Sequence, residues 1–486
     1  MLPTILQHSA ELIAFISSFN LVLYQPQMRH VHNLVDAMLV CGGRKTLTNL
    51  YHQIGAEPDP KTAADFFRES PWEREDVGRG RKEAMLRTFL GFAQKLGIAQ
   101  LLVSVDDSLG KKDKATRHLE AVCFHHDHND GSKGKPRYAN GFVYVEVHIQ
   151  IGPIGFTWDT RLYLRETVVH KLNRHRAERQ RLHYQSKYTL TRAMLTELAG
   201  LLPKEYQVYV MFDSWYASAK LIKFCRRQGW QVICAIKSNR CIDKKRIELH
   251  DRTLRHKHYQ KVELQALTPH RPAPVYYTRT VMGHLEDVSD EVCAIISRRH
   301  KGDPRPKYFM YTDLNLSVQE ALRLYQRRWP VEVDNFYIKE ALGLADFRLQ
   351  AFAAIEKWFA VTLVSLNYLQ FQQAQHFIAT GQLLSLADFI RQHRWAHLEN
   401  VVRRIAHEAQ QSGNVEELLQ RYLPSAAWAV IWPHWATGCQ QLNIWPSEGS
   451  LSLAVYLCQK PASWHPILPH LCRFLKFCHS ILANVQ

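Results

Sequence analysis

The sequence predicts a mixed α/β fold, one sheet flanked by helices, with helical N- and C-terminal regions. Three observations carry this. Short β-rich runs at 101–105, 206–212 and 231–236 are separated by segments with helical patterning. Two longer strand candidates, 141–151 and 154–165, meet at a Gly152-Pro153 turn. Apolar residues recur at helical spacing over 9–23, 30–41, 46–54 and 84–95. A hairpin followed by strand, helix and strand builds a mixed sheet with helices on its faces.

Residues 1–97 form the helical N-terminal region. Gly42 and Gly43 break one helix, and Thr46 offers an N-cap for the next, with Arg44 and Lys45 beside it. A helix, a glycine turn and a helix next to basic residues are compatible with DNA-end binding, although most such pairs bind nothing. From residue 98 the pattern changes. The first strand ends in Asp106 and Asp107, and the strand at 206–212 ends at Asp213. Helices are expected over 190–202 and 217–228. Residues 240–306 read as a separate strand-rich, basic insertion punctuated by Pro269, Pro272, Pro274, Pro304 and Pro306. The chain returns to a strand at 308–314. One long helix then runs from about Ser317 to Leu342, with Gly343 as its C-terminal breaker. Another helix covers 353–375. The Trp-rich region 371–486 is expected to be helical and suits dimerisation or DNA contact. Its Trp428, Trp432, Trp435 and Trp445 read as core or interface.

Composition narrows the function. The 486 residues are 46% apolar and 22% charged, which excludes a disordered or fibrous chain. The net charge of +17 points to a polyanion, either nucleic acid or an anionic membrane. The excess sits in mid-chain: 214–331 holds 23 Lys/Arg against 11 Asp/Glu, and 161–192 holds 9 against 2. Tyr276, Tyr277, Tyr308 and Phe309 are interleaved with this charge, which suits bases as well as phosphates, though most such rings fill strand cores. The ten cysteines are scattered without a C-x-x-C pair, as expected of reduced thiols in a cytoplasmic protein. Glu11 interrupts the first apolar stretch, so no secretory signal is expected. The charge-free stretches 358–386 and 422–447 are broken by Asn and Gln or by prolines, so no membrane span is expected.

The chemistry rests on three acids. Asp107 and Asp213 lie at strand ends, and Glu332 lies on the long helix. Carboxylates gathered inside a basic surface are costly unless they bind cations, and hard oxygen ligands select Mg²⁺ or Mn²⁺. Two such ions can activate a water and stabilise the leaving oxygen in phosphodiester cleavage. The helix that carries Glu332 also carries Tyr325, Arg328 and Lys339. At roughly 100° per residue these four side chains fall within an arc of about 60°. A solvated face with a salt bridge also mixes charges, but it does not call for Trp329 and Pro330 beside them.

This pattern resembles the DDE transposases of bacterial insertion sequences, in the group with a Y-x2-R-x3-E-x6-K signature. Here the signature is Tyr325, Arg328, Glu332 and Lys339 with every spacing kept. A Thr312-Asp313-Leu314 strand end precedes it, and Lys339 runs on into Ala341, Leu342, Gly343 and Leu344. The family's first Asp is followed by Thr or Ser, which favours Asp107, before Ser108, over Asp106. Asp213 follows 106 residues later and Glu332 another 119, a gap that fits a β-rich insertion. The resemblance implies a ribonuclease H-like catalytic domain over 98–370, with the insertion at about 240–306. It implies that Asp107, Asp213 and Glu332 hold two Mg²⁺ ions, for which Mn²⁺ can substitute. It assigns Tyr325, Arg328 and Lys339 to DNA phosphates, which agrees with the bidentate grip of Arg and the point charge of Lys. It further implies double-stranded DNA as partner, a homodimer bridging two transposon ends, no ATP, and a bacterial, nucleoid-associated protein. Some members use an aromatic, often Trp, in the insertion to hold a flipped base during hairpin formation. This insertion has no Trp between 240 and 306, so that step stays open, with Tyr276 or Tyr277 as the alternative.

Other motifs carry less. Cys123, His125, His126, Asp127 and His128 are too densely spaced for a familiar zinc site, and Gly131, Gly134 and Pro136 read as loop. Gly42 to Thr46 lacks the G-x4-G-K-T of a phosphate loop. The reading is a DNA transposase that cleaves at transposon ends and joins the 3′-hydroxyl to target DNA. Two alternatives stand beside it: a metal-dependent nuclease without strand transfer, and a catalytically silent, transposase-derived DNA-binding regulator.

Overall fold

The computed structural model describes residues 4–54, 60–132, 135–252, 258–266 and 272–412. The Trp-rich segment of the C-terminal region and its proposed dimer contact lie outside them, as does His128's side chain. The N-terminal region is helical as expected: α1 (Ala10–Ser17), α2 (Gln25–Val40), α3 (Leu47–Tyr51), α4 (Pro60–Arg68) and α5 (Arg74–Leu96). Thr46 does cap α3, accepting from the Asn49 amide.

The sheet begins with β1 (Gln100–Lys111), β2 (Cys123–Ser132), β3 (Lys135–Ile151) and β4 (Ile154–Tyr163). After α6 (Glu166–Asn173) and α7 (Lys187–Leu201) come β5 (Gln207–Phe212), α8 (Ala219–Arg227) and β6 (Gln231–Ile236). β3 lies antiparallel to both β1 and β4, while β1, β5 and β6 run parallel. This mixed sheet with helices on its faces is the ribonuclease H-like architecture that the resemblance implied. Of the residues read as a loop, Gly131 and Ser132 end β2 and Lys135 and Pro136 begin β3, because β2 pairs with the first part of a long β3; Gly134 lies outside the described residues.

The insertion is not a separate piece. After a small ribbon of β7 (Cys241–Ile242) and β8 (Lys245–Arg246) and the short α9 (Ile247–Arg252), the chain forms β9 (Gln260–Glu263), β10 (Val275–His284), β11 (Glu291–Arg298) and β12 (Lys307–Tyr311). β12 pairs antiparallel with β6, so the strands of the insertion continue the central sheet.

The long helix expected from Ser317 to Leu342 is broken. It starts as predicted, with Ser317 and Glu320 forming a capping box. α10 then ends at Gln326 and α11 spans Pro330–Phe336. Pro330 has no N–H to give to the preceding turn. The backbone tightens there, with Arg327, Arg328 and Trp329 donating to carbonyls three residues back. Beyond α11 the chain widens into one π-helical turn, Tyr337–Ala341, closed where the Leu342 amide reaches the Tyr337 carbonyl at 2.9 Å. Gly343, at φ 64°, ends it.

Two long helices finish the described chain, α12 (Phe352–Thr380) and α13 (Leu386–Ser412). α12 is buried for most of its length and packs on β4 and α5. Its charge-free stretch is thus a core helix, and no helix among the described residues is long and apolar enough to cross a membrane. The main core includes Leu101, Val103 and Val105 of β1 with Met194, Leu195 and Leu198 of α7. A second core, on the other face, joins Leu102, Tyr209, Met211 and Ile233 to Ala321, Leu322 and Leu324 of α10.

Candidate carboxylate site

The alternation of β1 decides which acid faces which way. Successive side chains of a strand point to opposite faces. The register of β1 against β3 is unbroken from Leu102 to Lys111. Leu102, Ser104 and Asp106 therefore share the face covered by α10 and α11, and Val103, Val105 and Asp107 share the face covered by α7. The contacts agree. Asp106 pairs with Arg328 at 3.0 Å, and Asp107 pairs with Lys187 of α7 at 2.6 Å. Asp213 directly follows β5, and its charge acts on Tyr325 of α10 as well as on Tyr216. Its Oδ1 accepts from the amides of Trp215 and Tyr216 at 2.9 and 3.3 Å.

Arg328 is the hub. Besides Asp106, it binds the Glu332 carboxylate one turn on, and its guanidinium lies 6.0 Å from the centre of the Tyr325 ring. Lys339 reaches back to β1, donating to Ser108 Oγ at 3.0 Å. The break in the helix therefore leaves Arg328, Glu332 and Lys339 all turned toward β1. The acids are half-buried at the strand ends. Burial pushes the Asp106 carboxyl up to about 6, and the Arg328 charge limits the rise. Burial also raises the Tyr325 hydroxyl to about 12. The fully buried Tyr216 hydroxyl is raised well above its ordinary value, first by burial and then by the negative charges of Asp107, Asp106 and Asp213.

A buried polar layer that the sequence reading missed fixes α11. Asp334 Oδ2 meets His148 Nδ1 at 2.6 Å and accepts from Thr157 and Gln370, both at 2.8 Å. Tyr144 donates to Asn335 Oδ1 at 2.6 Å. Glu146, wholly buried, sits opposite Asp106 in register, with Oε1 2.9 Å from the same Thr157 hydroxyl. Burial and the nearby Asp334 push its carboxyl well above the usual range. The signal was present in β3, where Glu146, His148 and Gln150 alternate with Val145, Val147 and Ile149. A strand buried on both faces but polar on one must meet polar partners.

The basic surface adjoins the acids. A cavity of about 360 Å³ opens between the insertion strands and α10, lined by Tyr276, Arg298, Arg299, Arg305, Lys307, Tyr325, Arg328 and Trp329. Trp329 is 55% exposed there. By contrast, among the described residues the Cys123–Asp127 run supplies no group of three ligand atoms close enough to share an ion. Cys123 Sγ and His125 Nε2 lie 3.1 Å apart on one strand, and Asp127 pairs with Lys111.

A family model described as a DDE superfamily endonuclease matches residues 19–272. The match contains Asp106, Asp107 and Asp213 and stops short of Glu332. No curated protein matches. Among solved structures, the chain is similar to a piggyBac transposase synaptic complex with hairpin DNA, determined by cryo-EM. The identity is 10% and the TM-score 0.41, over 95% of this chain and 89% of that one.

Proposed function

Since the chain belongs to the DDE superfamily endonucleases, we propose that it is a DNA transposase that cuts phosphodiesters at transposon ends and joins the freed 3′-hydroxyl to target DNA. The observation that carries this reading is the bridge from Asp106 through Arg328 to Glu332, with Asp213 close enough for its charge to act on Tyr325. Asp213, Glu332 and one of the adjacent pair Asp106 and Asp107 would hold the divalent ions. The sequence favoured Asp107 for its following Ser108; strand parity supports Asp106. The donor set suits Mg²⁺ or Mn²⁺, being all carboxylate oxygen. Bound there, such ions lower the pKa of water and polarise the scissile phosphate.

The chain's own side chains do the rest. Without the ions, Arg328 neutralises Asp106 and Glu332. When DNA arrives, the same guanidinium grips a phosphate in bidentate fashion, Lys339 adds a point charge, and the Tyr325 hydroxyl, held protonated, donates a hydrogen bond. The cavity beside them, with Tyr276 and Trp329 among arginines, supports a nucleotide displaced from the helix as occupant. A homodimer bridging two ends belongs to the same proposal. No ATP is needed, because transesterification conserves phosphodiester bonds.

The test is incubation with the chain's own flanking DNA ends and Mg²⁺, with products sized on a denaturing gel. Joined end-to-target products support transposition. Cleaved ends without joining support the hydrolytic nuclease instead, a reading that the family's description as endonucleases favours. End binding without any cut, in Mg²⁺ or Mn²⁺, overturns both.

A further inference from the structure

The N-terminal helices and α13 share a buried cluster that the nuclease reading does not use. Asp36 of α2 is 0% exposed. Its Oδ1 faces two imidazoles, His393 Nε2 at 2.7 Å and His397 Nε2 at 2.9 Å. These histidines lie one turn apart on α13, and both are buried. One ligand atom from each of the three residues falls within 4.8 Å of the others. Behind them, His8 Nδ1 meets Asp36 Oδ2 at 2.7 Å, and His8 Nε2 meets Asn33 Oδ1 at 2.8 Å.

Without a cation this arrangement is poorly satisfied. Both His393 and His397 must present Nε2–H to one and the same oxygen. In that tautomer Nδ1 of His397 is left as a buried acceptor with no partner. A metal ion takes the same three atoms as lone-pair donors instead. Two imidazoles spaced i, i+4 on one helix, joined by a carboxylate from a second helix, form a two-nitrogen, one-oxygen set that suits Zn²⁺. Coordinating carboxylates are themselves held by an outer hydrogen bond, and His8 is placed to supply it. The cluster is unlike the strand-end site, whose ligands are all oxygen.

We propose that Asp36, His393 and His397 bind a structural Zn²⁺ ion that clasps α13 to α2, with His8 holding the carboxylate from behind. Three protein ligands leave one coordination position for a small ligand such as water. The ion would lock the N-terminal helices to α13 of the C-terminal region.

The test is metal analysis of the full-length chain after equilibration with Zn²⁺ and removal of free metal. The expected result is one Zn²⁺ per chain that survives in an Asp213→Asn, Glu332→Gln background and is lost in Asp36→Asn and in His393→Gln, His397→Gln. The Asp213 and Glu332 substitutions separate this site from the nuclease site, so either reading can fail alone. Chelator should lower the unfolding midpoint of the parent chain and leave that of the Asp36→Asn variant unmoved. Co²⁺ loading of the parent chain gives a readout that needs no variant: intense visible bands of a low-coordinate nitrogen and oxygen site are expected. Equal Zn²⁺ content in parent and variants overturns the proposal. So does a parent chain that holds no Zn²⁺, or Co²⁺ bands no stronger than those of the free aquo ion.

Discussion

Arg328 reaches Asp106 across 222 residues of sequence and closes on its carboxylate at 3.0 Å. The same guanidinium holds Glu332 one helical turn away. Asp107, the immediate neighbour of Asp106, is tied to Lys187 on the opposite face.

That division makes the two aspartates separable. Asp106→Asn, Asp213→Asn and Glu332→Gln should each lower Mg²⁺-dependent cleavage by more than about a hundredfold, while Asp107→Asn costs only about tenfold, the low end for a group beside the site. Single-turnover cleavage of labelled transposon ends measures this. If Asp107→Asn is the more damaging change, the face assignment by strand parity is wrong.

Phosphate contacts leave a mark in salt dependence. Arg328→Ala and Lys339→Ala should weaken end binding and each reduce the slope of log affinity against log salt concentration by about 1. Fluorescence anisotropy over a salt series reads the slope. An unchanged slope in both variants would remove these residues from the DNA path.

The buried charge cluster around Asp159 sets an acid limit on stability. Asp159 lies among Arg74, Arg81, Lys82 and Arg161. Burial alone would raise its carboxyl, yet those four cations hold it well below the usual range. A depressed carboxylate contributes stability that is fully present above the ordinary Asp pKa of about 4 and is lost as pH falls below it toward the folded value. Asp159→Asn should therefore cost about 3–5 kcal/mol near neutrality by leaving buried cations uncompensated. The gap between parent and variant should narrow as pH falls below about 4, followed by denaturant unfolding at several pH values. A gap independent of pH would refute the assignment.

Two glycines on α5 should respond in opposite directions. A Cβ on Gly80 runs into the Phe19 carbonyl, whereas one on Gly91 meets nothing within 4 Å. Gly91→Ala should gain about 0.5–1 kcal/mol from helix propensity. Gly80→Ala should lose about 1–3 kcal/mol through the forced backbone shift. Paired thermal melts decide. Equal responses would mean that α5 does not approach the Phe19 turn closely.

The sequence exposed what local pattern controls. The hairpin of β3 and β4 declared itself through apolar alternation and the Gly152 turn, and β5 and β6 through short apolar runs. β2 did not, because a strand of His, Asp and Asn has little β propensity and exists by pairing with the long β3. The break in the signature helix was written in Trp329-Pro330, but a proline reads alike as a kink within one helix or as the first turn of the next. At the candidate site, residue types and spacing identified Asp213, Arg328, Glu332 and Lys339 as a set to examine. The relation of Asp106 to Asp107 needed strand parity, which Ser108 alone does not supply. The supports of α11 were out of reach, since Asp334 meets His148 across 186 residues.

Because β6 is stitched to β12, and β12 onward to β11, β10 and β9, the basic strands and the acid-bearing strands form a single hydrogen-bonded beam. A load applied at its far edge therefore passes along backbone ladders to the tips of β5 and β1.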